Sequence, residues 1–197
     1  DITAEANTCR RSPNYGINLF RSTRCSLLAN KCYQTEGVGA SNNTGIFLEE
    51  SSYNILQGNV CNENIASGIL LLQGCTDNTI TGNTCNNNQN DGITLANQSD
   101  KNIVNSNTCD GNARFGMYLA VASRNTVNGN SVAGNGDTGL NIVLGVSNNI
   151  QNNRCTDNEG YGIALAGMSA NNLVTNNDLA GNTSGPLDDN GTGTVTT

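Results

Sequence analysis

The 197-residue chain has no histidine and no tryptophan, and only two prolines and two methionines. Without histidine it lacks the side chain most often used as a neutral-pH base and the commonest metal ligand. No Cys-x-x-Cys pair offers a substitute, so no metal site and no cofactor is expected. Charged residues are scarce at 13% and aromatics scarcer at 4%. Nine cations against sixteen acids leave a net charge of −7, which argues against a nucleic-acid partner. No apolar run approaches the roughly 20 residues that a membrane-spanning helix needs. The chain opens on Asp1 rather than Met, which suggests a processed protein or a piece of a longer one.

Asparagine is abundant instead, nearly a fifth of all residues, and it is placed in register. One column runs Cys9, Cys32, Cys61, Cys85, Cys109, Val132, Cys155 and Leu179, at intervals of 23 or 24 residues with a single step of 29. Two positions before each member stands an asparagine, from Asn7 and Asn30 through Asn153 to Asn177. A second asparagine column lies three positions after it (Asn64 to Asn182). A third lies seven before it (Asn54 to Asn172, with Cys25 standing in at the second coil).

Apolar residues follow the same frame. A Gly-Ile-x-Leu strand or a close variant recurs from Gly16–Leu19 to Gly162–Leu165, and Leu27, Leu56, Ile80, Val104, Val127, Ile150 and Val174 mark a second inward strand. The cysteine column marks a third. Period-2 alternation inside short strands, repeated every 23 or 24 residues, predicts three parallel sheets around one narrow core. The fold class is therefore all-β: a right-handed, single-stranded parallel β-helix of about eight coils with three strands per coil. It is expected to cover residues 1–187, leaving 188–197 as a Gly/Thr-rich tail or linker. Asn is expected to serve tight corners because it tolerates left-handed backbone, and stacked amides can bond along the ladder. The strand-opening glycines suit either positive φ or close backbone approach.

Six of the eight cysteines share one inward column where other coils carry Val132 and Leu179. The site asks for a small apolar group, so buried free thiols are expected rather than disulfides. Cys25, which replaces a ladder asparagine, and Cys75, in a turn, are the candidates for reactive thiols.

The Asn-x-Cys-x-x-Asn-x-x-x-Gly-Ile-x-Leu pattern resembles the parallel β-helix repeats of the carbohydrate-binding and sugar-hydrolase superfamily. Pectate-lyase-like enzymes, mannuronan C5-epimerases, a periplasmic protein assisting copper-site assembly in nitrous oxide reductase, and phage tail spikes share it. Tyr15-Gly16-Ile17-Asn18-Leu19-Phe20 is similar to the epimerase motif Tyr-Gly-(Phe/Ile)-Asp-Pro-His over its first three residues. Asn18 and Phe20 replace the family's acid and histidine, so its catalytic residues are not carried over.

Neither a lyase set of base, acid and carboxylate neutraliser nor a spaced pair of carboxylates assembles from the columns, and no catalytic residue is assigned. Cations gather in the first two coils. Arg10, Arg11, Tyr15, Lys31, Tyr33 and Glu36, beside an inserted segment Glu36–Ser41, form a candidate site for an acidic glycan. Phe20, Phe47, Leu70, Tyr118 and Val143 are expected on the exterior of the Gly-Ile-x-Leu sheet, an apolar stripe suited to self-association, as a trimer, or to packing on another domain. The reading of function is an extracellular, cell-surface or virion-associated module, structural or carbohydrate-binding, within a larger spike or surface protein. The alternative is a polysaccharide-active enzyme: a uronate lyase, C5-epimerase or glycosidase.

Overall fold

A computed structural model describes residues 1–37 and 43–196. Residues 38–41 of the inserted segment lie outside the described residues. Every strand pairing among the described residues is parallel. One sheet stacks nine strands from Thr3–Glu5 to Val195–Thr196, and a second, the long sheet, stacks eight from Tyr15–Phe20 to Gly185–Asp189. The third side is thinner. Thr8–Arg10 pairs with Lys31–Tyr33 and Ser131–Ala133 with Arg154–Thr156, while Val60, Thr84 and Thr108 carry single bridges between them. The result is a parallel β-helix of about eight coils. The strand Gly185–Asp189 extends pairing of the long sheet through residues 188–189, and Val195–Thr196 pairs onto the nine-stranded sheet.

One apolar core runs the length of the solenoid. Leu27, Leu56, Ile80, Val104 and Val127 enter it from one sheet, Ile46 to Leu165 from the long sheet, and the cysteines from the third side. All eight cysteines are free thiols. Cys25 and Cys75, the candidate reactive thiols, are both buried. Their positions are inward corner sites: Cys25 N–H donates to Asn54 Oδ1 at 2.8 Å, and the Cys75 thiol donates to the Leu72 carbonyl at 3.3 Å. The partly exposed thiol is Cys9, in the first coil.

The asparagine columns are hydrogen-bonded ladders. In the column through Asn107, each side-chain oxygen accepts both the backbone N–H and the side-chain amide of the preceding coil, as in Asn83 to Asn107 at 2.9 and 3.0 Å. Each amide also donates to a strand carbonyl, Asn107 Nδ2 to Ile80 O at 2.9 Å. The left-handed conformation falls one residue earlier than expected, on Ala29, Gly58, Gly82, Ser106 and Gly129 in one column and on Tyr53, Asp77, Lys101 and Arg124 in another. The corner therefore divides two tasks. The exposed residue takes the strained φ, and the asparagine behind it turns inward to satisfy the buried amides. The strand-opening glycines from Gly16 to Gly162 are not at positive φ. They answer to crowding: a Cβ on Gly92 would lie 2.5 Å from the Gly116 carbonyl and 2.8 Å from Cys109 Cβ.

Candidate functional site

Parallel in-register stacking converts each outward position of a strand into a column along the solenoid. On the long sheet these columns are distinctive. The residue before each glycine gives Tyr15, Thr44, Ser67, Asp91, Phe115, Thr138 and Tyr161. The second residue after it gives Asn18, Phe47, Leu70, Thr94, Tyr118, Asn141 and Ala164, paired in that order. A third column runs Phe20, Glu49, Leu72, Ala96, Ala120, Val143 and Ala166. Tyr15, Phe20, Phe47, Phe115, Tyr118 and Tyr161 all belong to this face, so it holds six of the chain's eight aromatic residues.

The exterior is less bare than the sequence suggested. Phe20 is exposed, and Leu70, Tyr118 and Val143 are half-buried, but Phe47 is 4% exposed. The ring of Tyr15, one coil away, stacks on it at 4.6 Å and 13°. Phe47 and Phe115 are buried yet lie outside the central core cluster, because the first column packs against the second on the outer side of the sheet.

A polar centre sits in coils four and five. The Asp91 side chain, 2% exposed, accepts the Thr94 hydroxyl at 2.8 Å and the Phe115 N–H at 3.3 Å. Arg114 Nη1 lies 3.8 Å from its carboxylate. The Arg114 guanidinium carbon stands 4.2 Å from the Phe115 ring centroid and 4.9 Å from that of Tyr118. The two rings are themselves 5.2 Å apart. On the opposite edge of the sheet, Glu50, Gln73, Gly74, Asn97, Gln98 and Val121 line an open groove of about 460 Å³. Its floor is a corner whose residues hold positive φ, which turns the amides of Gln73, Asn97 and Gln98 outward. Arg21 closes one end through Glu50 at 2.7 Å, a bond that holds the Glu50 carboxyl below its ordinary range.

The first-coil cluster is partly assembled. Arg10 Nε donates to Gln34 Oε1 at 3.0 Å and its guanidinium stands 5.7 Å from the Tyr33 centroid; Arg11 lies 3.8 Å from Glu36. Lys31 is exposed on the same strand as Tyr33. Tyr15 belongs to the long sheet, with Phe47. Asp91, Arg114 and the amide groove were not singled out from the sequence. Writing out the pre-glycine column would have exposed Asp91 as a carboxylate among small hydroxyls and rings.

Burial raises the Asp91 carboxyl above its ordinary pKa of 3.8; the Thr94 hydrogen bond and the Arg114 charge pull the other way. A raised folded-state pKa means that the folded chain holds the proton more tightly than the unfolded one. That contribution is whole below pH 3.8 and is lost as pH climbs through the raised value. Asp91→Asn is therefore expected to raise the melting temperature at pH 7 and to leave it unchanged near pH 3. Thermal melts at both pH values check this; a lower melting temperature at pH 7 would refute it.

The family model described as periplasmic copper-binding protein (NosD) matches residues 1–92 and 72–194. The chain belongs to the NosD family. No curated protein matches it. Among solved structures it is similar to the periplasmic alginate epimerase AlgG, with a TM-score of 0.80 and 19% identity over 93% of this chain and 47% of that one. It is similar to the Dettilon tailspike protein, at 0.75 and 21% over 93% and 41%. It is also similar to the A-module of the Azotobacter vinelandii mannuronan C-5 epimerase AlgE6, at 0.62 and 14% over 89% and 65%. The chain thus spans about half the length of AlgG, and at these identities the likeness is one of fold.

The NosD family name implies copper, and the residues here do not fit that ion. Among the described residues no three His, Cys, Asp or Glu side chains converge where they could hold a metal. The cysteine column is the one soft-ligand array, and metal binding requires thiolates. Its thiols stack one per coil along the apolar core, neighbour on neighbour from Cys9 to Cys109, and burial pushes Cys155 up to about 12 and Cys61 and Cys85 well above the ordinary range.

Proposed function

We propose that this chain is a non-catalytic carbohydrate-binding module, working outside the cytoplasm, that holds a polysaccharide against the outer face of the long sheet. The observation that carries the reading is the concentration of six of eight aromatic residues on that one face, four of them (Tyr15, Phe20, Tyr118 and Tyr161) with accessible surface, bordered by a groove lined with amides. Rings offer apolar faces to sugar rings, and fixed amides both donate and accept toward hydroxyls. The same face was expected from the sequence to self-associate; with Phe47 covered by Tyr15 and polar groups along both edges, a glycan is the better match. The epimerase, tailspike and NosD names agree with a location outside the cytoplasm and, for AlgG and AlgE6, with a polysaccharide ligand.

One observation favours the enzyme reading: a carboxyl, a guanidinium and a phenol stand together at Asp91, Arg114 and Tyr118. Asp91, however, is sealed beneath the surface and its oxygens are engaged, so it cannot touch a sugar in this arrangement. Affinity electrophoresis against a panel of neutral and acidic polysaccharides is expected to show retention, weakened about three- to tenfold by Tyr118→Ala. Parallel assays for unsaturated products, epimerised units and new reducing ends are expected to stay at background. Turnover in any of them would replace binding by catalysis, and no retention on any polymer would refute the proposal.

A further inference from the structure

Arg114 differs from the chain's other paired arginines in the burial of its acid; Arg11 and Arg154 also stand 3.8 Å from theirs, but those acids are exposed. Arg21 and Arg124 are tied edge-on to partly exposed carboxylates, at 2.7 Å to Glu50 and 2.9 Å to Asp100. The carboxylate nearest Arg114 is buried and no closer than 3.8 Å, and only Nη1 faces it. The plane is fixed by the rings of Phe115 and Tyr118 instead, at 4.2 and 4.9 Å. Among the described residues Nε and Nη2 have no partner, and the side chain is 43% exposed. The acid that follows in the stack is diverted: Asp137 N–H donates to the Arg114 carbonyl at 3.0 Å, while the Asp137 carboxylate accepts the Thr138 N–H at 2.7 Å. A guanidinium oriented from behind, with an unused donor edge toward solvent, matches a planar anion that accepts two parallel N–H bonds.

We propose that Arg114 is the carboxylate anchor of the glycan face, and that the ligand is accordingly an acidic polysaccharide built of uronate units. One carboxylate lies on the free edge of Arg114, and its sugar ring lies toward Tyr118. Asp91 is a positioning residue that holds the guanidinium at its rear edge. This inference rests on the proposed glycan-binding face and adds the charge of the ligand. It places an acidic-sugar contact in the middle of the solenoid, apart from the candidate cluster of the first coils.

The full chain should be titrated with polygalacturonate and with the same polymer after reduction of its carboxyl groups. The parent is expected to bind both and to prefer the acidic form. Arg114→Gln should lose about tenfold in affinity for polygalacturonate and nothing for the reduced polymer, as removal of one charge-assisted pair predicts. Arg114→Lys, which keeps the charge but not the planar fork, should recover only part of the loss. Circular dichroism and melting temperatures matching the parent establish that both variants are folded. An equal loss on the two polymers, or none on either, would refute the anchor while leaving the glycan-binding face standing. Absence of binding by the parent to both polymers and to the wider panel would overturn both.

Discussion

Asn107→Ala is expected to lower the unfolding free energy by about 4 kcal/mol, the largest loss anticipated for a polar residue in this chain. Asn107 is 1% exposed, and its side chain takes part in four hydrogen bonds. Its oxygen accepts the Asn83 backbone N–H and side-chain amide; its amide donates to Ile80 O and Asn130 Oδ1. Truncation orphans the Asn83 N–H in the interior, and an unmade buried bond costs about 1–3 kcal/mol. The other three partners each lose one bond and keep the rest of the ladder, so they add less. At about 2–4 °C per kcal/mol the melting temperature should fall by roughly 10 °C. Asn105→Ala is the control. Two residues away, that side chain points outward and accepts only the Ser106 hydroxyl at 3.1 Å and, at 3.4 Å, the Asn128 amide. Its loss should stay within about 0.5 kcal/mol. Urea unfolding with an unchanged m-value for both variants checks the pair. Similar costs for the two would mean that the ladder contributes nothing beyond composition.

That contrast also marks what the sequence could reveal. The ladders and inward strands were legible because a solenoid repeats one environment, and a repeated environment selects one residue type in register. Asn30, Asn59 and Asn83 announce each other; so do Leu56 and Ile80. The division of labour at the corners was not legible, because the residue at positive φ is exposed and chemically free: Arg24, Tyr53, Lys101 and Leu144 all take that role. The outer face was half legible. Phe20, Leu70, Tyr118 and Val143 follow from alternation, whereas the burial of Phe47 needs the ring of Tyr15 from another coil. The Asp91–Arg114 centre was hidden for the same reason. It joins Asp91, a lone carboxylate in a column of hydroxyls and rings, to Arg114 from the neighbouring column of the next coil. Function in this fold is written in departures from the repeat, and departures carry no periodic signal.

The second large effect tests crowding at the opening of a long-sheet strand. A Cβ on Gly116 would collide with Val132 Cγ1 and stand 2.7 Å from Asn135 Nδ2 and 2.9 Å from the Gly139 carbonyl. Val132 is fully buried and occupies the column that other coils fill with the smaller cysteine, so this coil has no slack. Gly116→Ala is expected to cost about 3 kcal/mol, at the upper end of ordinary overpacking. Gly74→Ala supplies the comparison, since a Cβ there meets nothing within 4 Å but the residue sits at φ +72°. Its cost should be near 1 kcal/mol and purely conformational. Val132→Ala alone should cost about 2 kcal/mol through lost burial and the cavity left behind. Combined with Gly116→Ala, the new methyl enters the vacated space, so the double variant should be about 1–2 kcal/mol more stable than the sum of the single effects predicts. Rescue stays partial because Asn135 and the Gly139 carbonyl do not move aside with Val132. Equal costs at Gly116 and Gly74 together with strict additivity at Val132 would show that these glycines are set by backbone conformation rather than by the close approach of successive coils.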